Sequence, residues 1–271
     1  MTRDVWLAKH PYLQPVADVH AAVEAAAAAI GVPAAPIPDW DAYAGEYRAG
    51  VPLLHSANLA IDFAPPQAAI HSLIEQLASS GLPGAIAQQC RELSTELDRL
   101  EDSPWPAELG SPTGDSFSPS HPGLFHYLSW AVLVRYLAPV VTAFDAWRDE
   151  EQWLRSHCPT CGGPPAMAQL VDKDSARMRK LSCGRCRTRW QFQRTGCPFC
   201  DGQDDHRLAV LTVEGEAGMR IDYCERCQGY LKTYDGQGNE EVMLADWTSI
   251  HLDLLARDRG LKRLAASLYE V

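Results

Sequence analysis

Between Cys158 and Cys227 the chain carries four Cys-x-x-Cys pairs, and any fold must bring them into chemically sensible positions. The pairs Cys158/Cys161 and Cys183/Cys186 are separated by 21 residues, and the pairs Cys197/Cys200 and Cys224/Cys227 by 23. That spacing meets or slightly exceeds the template of a four-cysteine metal site. Two residues between cysteines allow a tight turn that aims both sulfurs at one ion, with backbone N–H groups turned toward the thiolates. The longer interval is enough for a hairpin that returns a second turn opposite the first, so four thiolates close a tetrahedral site. Gly162 and Asp201 follow second cysteines, where such turns often need a positive φ.

Two sequential ribbons are the expected pairing. Interleaved pairs are the rival arrangement, and redox-active dithiols a further one. A thioredoxin-like motif opens a helix in a βαβ unit, and none of these pairs is so placed. Tetrahedral sulfur coordination suits zinc or iron alike. With no open coordination position, metal-assisted hydrolysis is disfavoured. His157 beside Cys158 is a minor alternative ligand.

The ninth cysteine, Cys90, stands apart, on an apolar stripe with Ile86, Leu93, Leu97 and Leu100. That places it as a small core residue. Pro83 opens this helix. Pro65 and Pro66 open another, with Ile70, Leu73, Ile74 and Leu77 at helical spacing. Val19 to Ile30 reads as helix ended by Gly31, and 105–122 as a loop. Leu124 to Trp153 reads as a long helix that Pro139 kinks or splits. After Ser156 short β-like runs take over, at 188–193, 208–213, 219–223 and 230–234. Beyond Met243 a helix is expected with Trp247, Ile250, His251, Leu254 and Leu255 on one face and Gly260 as a possible break.

Charge and composition narrow the function. The chain has 271 residues and a formal net charge of −11. Such acidity opposes whole-surface attraction to nucleic acid or anionic membrane. No targeting segment precedes the first prolines, and the longest apolar stretch, 130–144, is short for a bilayer, so the expected location is cytoplasmic. One local exception is basic: Lys173, Arg177, Arg179, Lys180, Arg185, Arg187, Arg189 and Arg194 lie around a single acid, Asp174. They either compensate the charge of a thiolate–metal site or form a docking patch. Trp190, Phe192, Tyr223 and Tyr230 serve as ribbon core more readily than as base-stacking groups. No nucleophile, acid–base set or phosphate-cradling loop is evident, so no catalytic residue is assigned.

The segments Cys158-Pro-Thr-Cys161-Gly-Gly-Pro-Pro165, Arg179-Lys-Leu-Ser-Cys183-Gly-Arg-Cys186-Arg-Thr-Arg-Trp190, Arg194-Thr-Gly-Cys197-Pro-Phe-Cys200 and Tyr223-Cys224-Glu-Arg-Cys227-Gln-Gly-Tyr230-Leu-Lys232 together resemble the FdhE family. Gly50-Val-Pro-Leu-Leu54, Ile61-Asp62 and the helix after Ala245 are similar to further parts of that family. The resemblance implies a non-catalytic accessory protein, a maturation chaperone that binds the catalytic subunit of a formate dehydrogenase. It also implies two rubredoxin-like sites holding iron or zinc.

The expected fold is α+β. A helical domain (1–154) precedes two rubredoxin-like (zinc-ribbon) modules (155–195 and 196–240) and a C-terminal helix (241–271). The expected ligands are Cys158, Cys161, Cys183 and Cys186 for one ion and Cys197, Cys200, Cys224 and Cys227 for a second. Arg185, Arg187 and Arg189 are the expected partner-binding residues. Alternative readings are a nucleic-acid-binding zinc ribbon and an electron-transfer protein built on sulfur-ligated iron. Membrane is not an expected partner, and nucleic acid is disfavoured.

Overall fold

The computed structural model describes residues 2–99, 119–173, 176–200, 208–216, 218–237 and 240–265. They form two compact units. One comprises 15–44 and 53–148; the other comprises 1–14, 45–52 and 149–271. Residues 1–14 and 45–52 thus group with the cysteine-rich half, where the division at 154 had put them in the helical domain.

The helical unit follows the apolar stripes. Helix α2 (Gln14–Ile30) ends at Gly31, whose φ of +68° suits glycine. Helix α4 (Ala64–Ala78) starts with Pro65 and Pro66 in its first turn and buries Ile70, Leu73, Ile74 and Leu77. Helix α5 (Gly84–Asp98) buries Cys90, Leu93 and Leu97. Leu100 and most of the expected 105–122 loop lie outside the described residues. Helix α6 (Pro122–Trp147) is not split at Pro139, and it stops at Trp147, short of the expected Trp153. A proline inside a helix costs about 3 kcal/mol. Burial of Val132, Leu133, Tyr136, Leu137, Val140 and Phe144 in the same stretch offsets that cost. By length and composition α6 could cross a bilayer, yet more than half of its apolar window is buried inside the protein.

In the other unit α1 (Arg3–Lys9) precedes a seven-stranded sheet. Its strands are β1 (Pro165–Lys173), β2 (Ala176–Cys183), β3 (Arg189–Phe192), β4 (Leu208–Thr212), β5 (Met219–Cys224), β6 (Gly229–Asp235) and the short β7 (Lys262–Arg263). The order is β3-β2-β1-β6-β5-β4, with β7 beside β6. Each ribbon is an antiparallel meander, and the two share the unit turn, strand, strand, turn, strand. They join through a parallel pairing of β1 with β6, Met167 opposite Lys232 and Leu170 opposite Asp235. Met167, Ala168, Leu170, Leu231 and Thr233 along this seam are buried, as parallel pairing requires. The expected separate ribbons are therefore halves of one sheet.

Helix α7 (Glu240–Met243), a 3-10 turn (Asp246–Ser249) and helix α8 (Ile250–Asp258) follow. The buried residues of α8 are Leu252, Asp253 and Ala256, while Leu254 is exposed. The apolar face expected around His251 and Leu254 is thus not the packed one. Asp253 faces inward because its carboxylate receives the fully buried Lys232 Nζ at 2.7 Å, Arg263 Nη1 at 2.7 Å and the Tyr230 hydroxyl at 2.7 Å. Asp246 takes Lys232 and Arg263 as well, each at 2.7 Å. Burial alone would raise the Asp246 pKa, but the two cations hold it well below the ordinary carboxylate range. Removing one member of a buried charge set strands the others at a cost of about 3–5 kcal/mol. Asp253→Ala should lower stability by that amount in urea unfolding, with Asp253→Asn intermediate; a change under about 1 kcal/mol would show that the network is not what seats α8.

Candidate metal centres

Residues 149–157 deliver Cys158 to its place. Trp153 stacks on Tyr47 at 5.3 Å and donates its indole N–H to His157 O, and Tyr47 donates its hydroxyl to Asp149 O. Trp190 donates from β3 to Arg155 O at 2.9 Å. Gly50 has φ +84°, and the Arg155 guanidinium occupies the position its Cβ would take. That arginine donates to Ala49 O. The 45–52 segment is therefore a strap on the approach to the first cysteine turn. His157 points its ring toward Gly50 O and stands outside the thiol group.

The sulfurs of Cys158, Cys161, Cys183 and Cys186 converge, all within 4.8 Å of one another, and so do those of Cys197, Cys200, Cys224 and Cys227. The sequential grouping is the one the fold adopts. Both centres have the same cross-pairing. Cys158 faces Cys186 and Cys161 faces Cys183 at 3.4 Å, and Cys197 faces Cys227 and Cys200 faces Cys224 at 3.8 Å. These separations are far beyond a disulfide's roughly 2.05 Å. A tetrahedron with metal–sulfur bonds of about 2.3 Å has edges of about 3.8 Å, so the sets match four-thiolate coordination.

The turns are built as the spacing implies. Arg185 N, Phe199 N and Gly229 N each point at the sulfur two residues earlier, at 3.4 Å. Gly162 has φ +71°. The equivalent positions after Cys186 and Cys227 hold Arg187 at φ +62° and Gln228 at φ +59°, which no glycine signal marked. Non-glycine residues enter this region at a cost of about 1 kcal/mol or more, so the closing of the thiol turns holds them there. Asp201 lies outside the described residues.

Electrostatics test whether a cation fits. Burial pushes Cys158 and Cys183 well above the usual thiol pKa, while hydrogen bonds from Cys158, Cys183 and Cys186 hold Cys161 well below it. In the second set burial raises Cys197. For Cys224 burial acts upward but is outweighed by backbone N–H groups of Cys227 and Arg226 and by neighbouring thiols. Each set thus stabilises one anionic sulfur among its neighbouring thiols, a donor set that a divalent cation completes by displacing the remaining protons. Both groups can hold a metal ion.

The two centres differ in shielding. All four cysteines of the first are buried, and a Thr160–Thr188 hydroxyl pair (2.8 Å) lies against it, with Thr188 Oγ1 3.2 Å from Cys186 Sγ. In the second, Cys200 and Cys227 are partly exposed, and Phe199 and Gly229 stand where the threonines were. A Cβ on Gly229 would come within 2.7 Å of Leu264, 3.0 Å of Phe199 and 3.2 Å of Cys227 Sγ.

The basic residues are largely engaged. Arg177 pairs with Asp172 and Asp235, Lys180 with Glu150, and Arg189 donates to Gln169. Arg179 is buried, Arg185 is half-buried, and Arg187 and Arg194 are exposed. Trp190, Phe192 and Tyr230 are buried, so three of the four aromatics belong to the core.

A family model described as FdhE, central domain, matches residues 157–194, the whole first ribbon. An FdhE homolog of Shewanella baltica (strain OS185) is 30% identical over 197 residues, 69% of this chain and 62% of the relative. The chain belongs to the FdhE family. An FdhE homolog of Aquifex aeolicus is 32% identical over 133 residues, 47% of each chain. The chain thus spans about half to just under two thirds of the length of these curated FdhE relatives. The crystal structure of the FdhE protein from Pseudomonas aeruginosa has a similar fold, with a TM-score of 0.56 at 21% identity, covering 87% of this chain and 81% of that one.

With two equivalents of metal bound, a colorimetric chelator should remove them in two phases, the second centre first. Cys200→Ser should abolish the fast phase and spare the slow one. A single phase for both ions would contradict the difference in shielding. Gly229→Ala should speed the fast phase alone. In the helical unit, burial pushes the Cys90 thiol up to about 11, so it stays protonated at pH 8. Thiol reagents should leave Cys90 unmodified in native protein at that pH and label it on denaturation; rapid native labelling would contradict its place in the core.

Proposed function

We propose that this FdhE-family chain is a non-catalytic accessory protein that binds the catalytic subunit of a formate dehydrogenase and assists its maturation. In this reading the two four-cysteine centres hold iron or zinc and maintain the docking sheet. The observation that carries the proposal is the pair of closed four-thiol centres in an FdhE-type fold. Such centres leave no coordination position for a substrate. Metal there supplies folding energy of about 10–16 kcal/mol per site in small zinc modules, comparable to the stability of a whole domain.

Arg185, Arg187 and Arg189 are the proposed docking residues. Arg185 and Arg187 sit on the second cysteine turn, and Arg189 opens β3 at one edge of the sheet. A cationic rim on an acidic protein suits steering of an acidic partner surface, with attraction screened over about 8 Å at physiological salt.

The test is affinity capture from cells producing active formate dehydrogenase, with captured subunit and bound metal measured together. Wild type should recover the catalytic subunit with two equivalents of metal, and recovery should fall as salt rises. The triple variant R185A/R187A/R189A should keep both metals and lose most of the subunit. Equal recovery by both proteins at every salt concentration removes the arginines from the interface. Absence of the subunit altogether, or nucleic acid in its place, overturns the role.

A further inference from the structure

The repeat shared by the two ribbons places an arginine four residues before the third cysteine of each centre, Arg179 on β2 and Arg220 on β5. Their surroundings differ. Arg220 is half-buried and satisfied by carboxylates, with Nε donating to Asp222 at 2.8 Å and Nη1 3.5 Å from Asp235. Arg179 is only 2% exposed and has no carboxylate within ion-pair distance among the described residues. Its Nη2 donates to Gln193 O at 2.7 Å and to Gly196 O, and its guanidinium lies 5.3 Å from the Phe192 ring centroid. Its Nε is buried without a partner.

Those two carbonyls belong to the linker between the ribbons, and Gly196 immediately precedes Cys197. Arg179 is therefore rooted in the first ribbon and grips the entry to the second centre. Buried guanidinium is costly unless negative charge compensates it. The groups that favour its charged form are Asp222 and, once its thiol is deprotonated, Cys197, opposed by Arg220. Burial lowers its pKa to about 10, which still leaves it charged at neutral pH. Four thiolates around a divalent ion leave two negative charges, and the protein can tune such a centre through buried charge and hydrogen bonds beyond the ligands.

We propose that Arg179 is a positioning residue for the second four-cysteine centre, supplied by the first ribbon: it fixes the Gln193–Gly196 linker that presents Cys197 and offsets the charge of the metal–thiolate group. The inference rests on the reading that the second centre holds a metal. It makes the two ribbons unequal partners. The first centre is complete within its own ribbon, and the second takes its buried counter-charge from its neighbour.

Full-length protein loaded with iron at both centres provides the test, with Arg179→Met removing charge and hydrogen bonds and Arg179→Lys retaining charge alone. Cys200→Ser identifies which redox wave and which chelator-release phase belong to the second centre. In Arg179→Met, release from the second centre should be about ten- to a hundredfold faster, and its midpoint potential should fall, because removing a nearby cation disfavours the more negative ferrous state. The first centre should keep its wild-type rate and potential. Arg179→Lys should restore the potential but not the slow release, since an ammonium cannot reproduce the planar guanidinium fork. Potentials unchanged in both variants, both centres altered alike, or a lysine variant whose potential matches the methionine variant's would each overturn the proposal. Should Arg179→Met fail to fold, Arg179→Lys decides alone: wild-type potential with faster release at the second centre supports the proposal, and any other pattern refutes it. Wild-type protein without metal at the second centre, established before any variant is measured, overturns the metal reading and this inference with it.

Discussion

Convergence of four sulfurs on one point, twice, is the constraint on which the cysteine-rich unit depends. Each ribbon is short, and a few strands bury too little apolar surface to outweigh the entropy of ordering them. The turns that gather the sulfurs hold Arg187 and Gln228 in a left-handed backbone that neither residue favours on its own. That arrangement is reasonable only if closing the thiol group returns more than the strain costs. A divalent ion at each centre is the natural source of that energy, since it removes protons from buried thiols and replaces thiol–thiol contacts with strong bonds.

From the two centres the rest of the sheet follows. The ribbons are equivalent in element order, and the parallel β1–β6 seam places them side by side with the same strand polarity. A parallel seam needs cover on its faces. Part of that cover comes from α8, which is seated through Asp253 on a lysine of β6 and an arginine of β7. Charge at Asp253, between the buried Leu252 and Ala256, therefore helps orient this helix. The strap formed by residues 45–52 and the Trp153–Tyr47 stack performs a similar service before Cys158.

The pseudo-repeat also separates the two centres chemically. Threonines close one against solvent, and Phe199 and Gly229 leave the other partly open. The same position in the repeat carries a carboxylate-paired arginine in one ribbon and a carbonyl-bound, buried one in the other.

Much of this was legible in local sequence because the signals are local. Cysteine spacing determined that tight turns exist and that ribbons carry them. The stripes through Ile70–Leu77 and Cys90–Leu97, bounded by prolines, determined two helices and the inertness of Cys90. The strands at 189–192 and 208–212 showed as β-like runs. Strands β1 and β2 were less visible: Pro165–Lys173 is apolar on both faces because it is central, and β2 mixes apolar residues with three basic ones because several of those find partners inside the fold. Pro139 did not split its helix, because the residues around it pack on both sides of the proline. The face of α8 was misjudged because hydrophobic periodicity cannot register an aspartate whose partners lie on other strands. Tertiary structure alone decided the fusion of the ribbons into one sheet, the burial of Lys232 and Arg179, and the difference between the centres. Each depends on groups far apart in the chain, and a pattern of neighbours carries no information about which distant charges and carbonyls will meet.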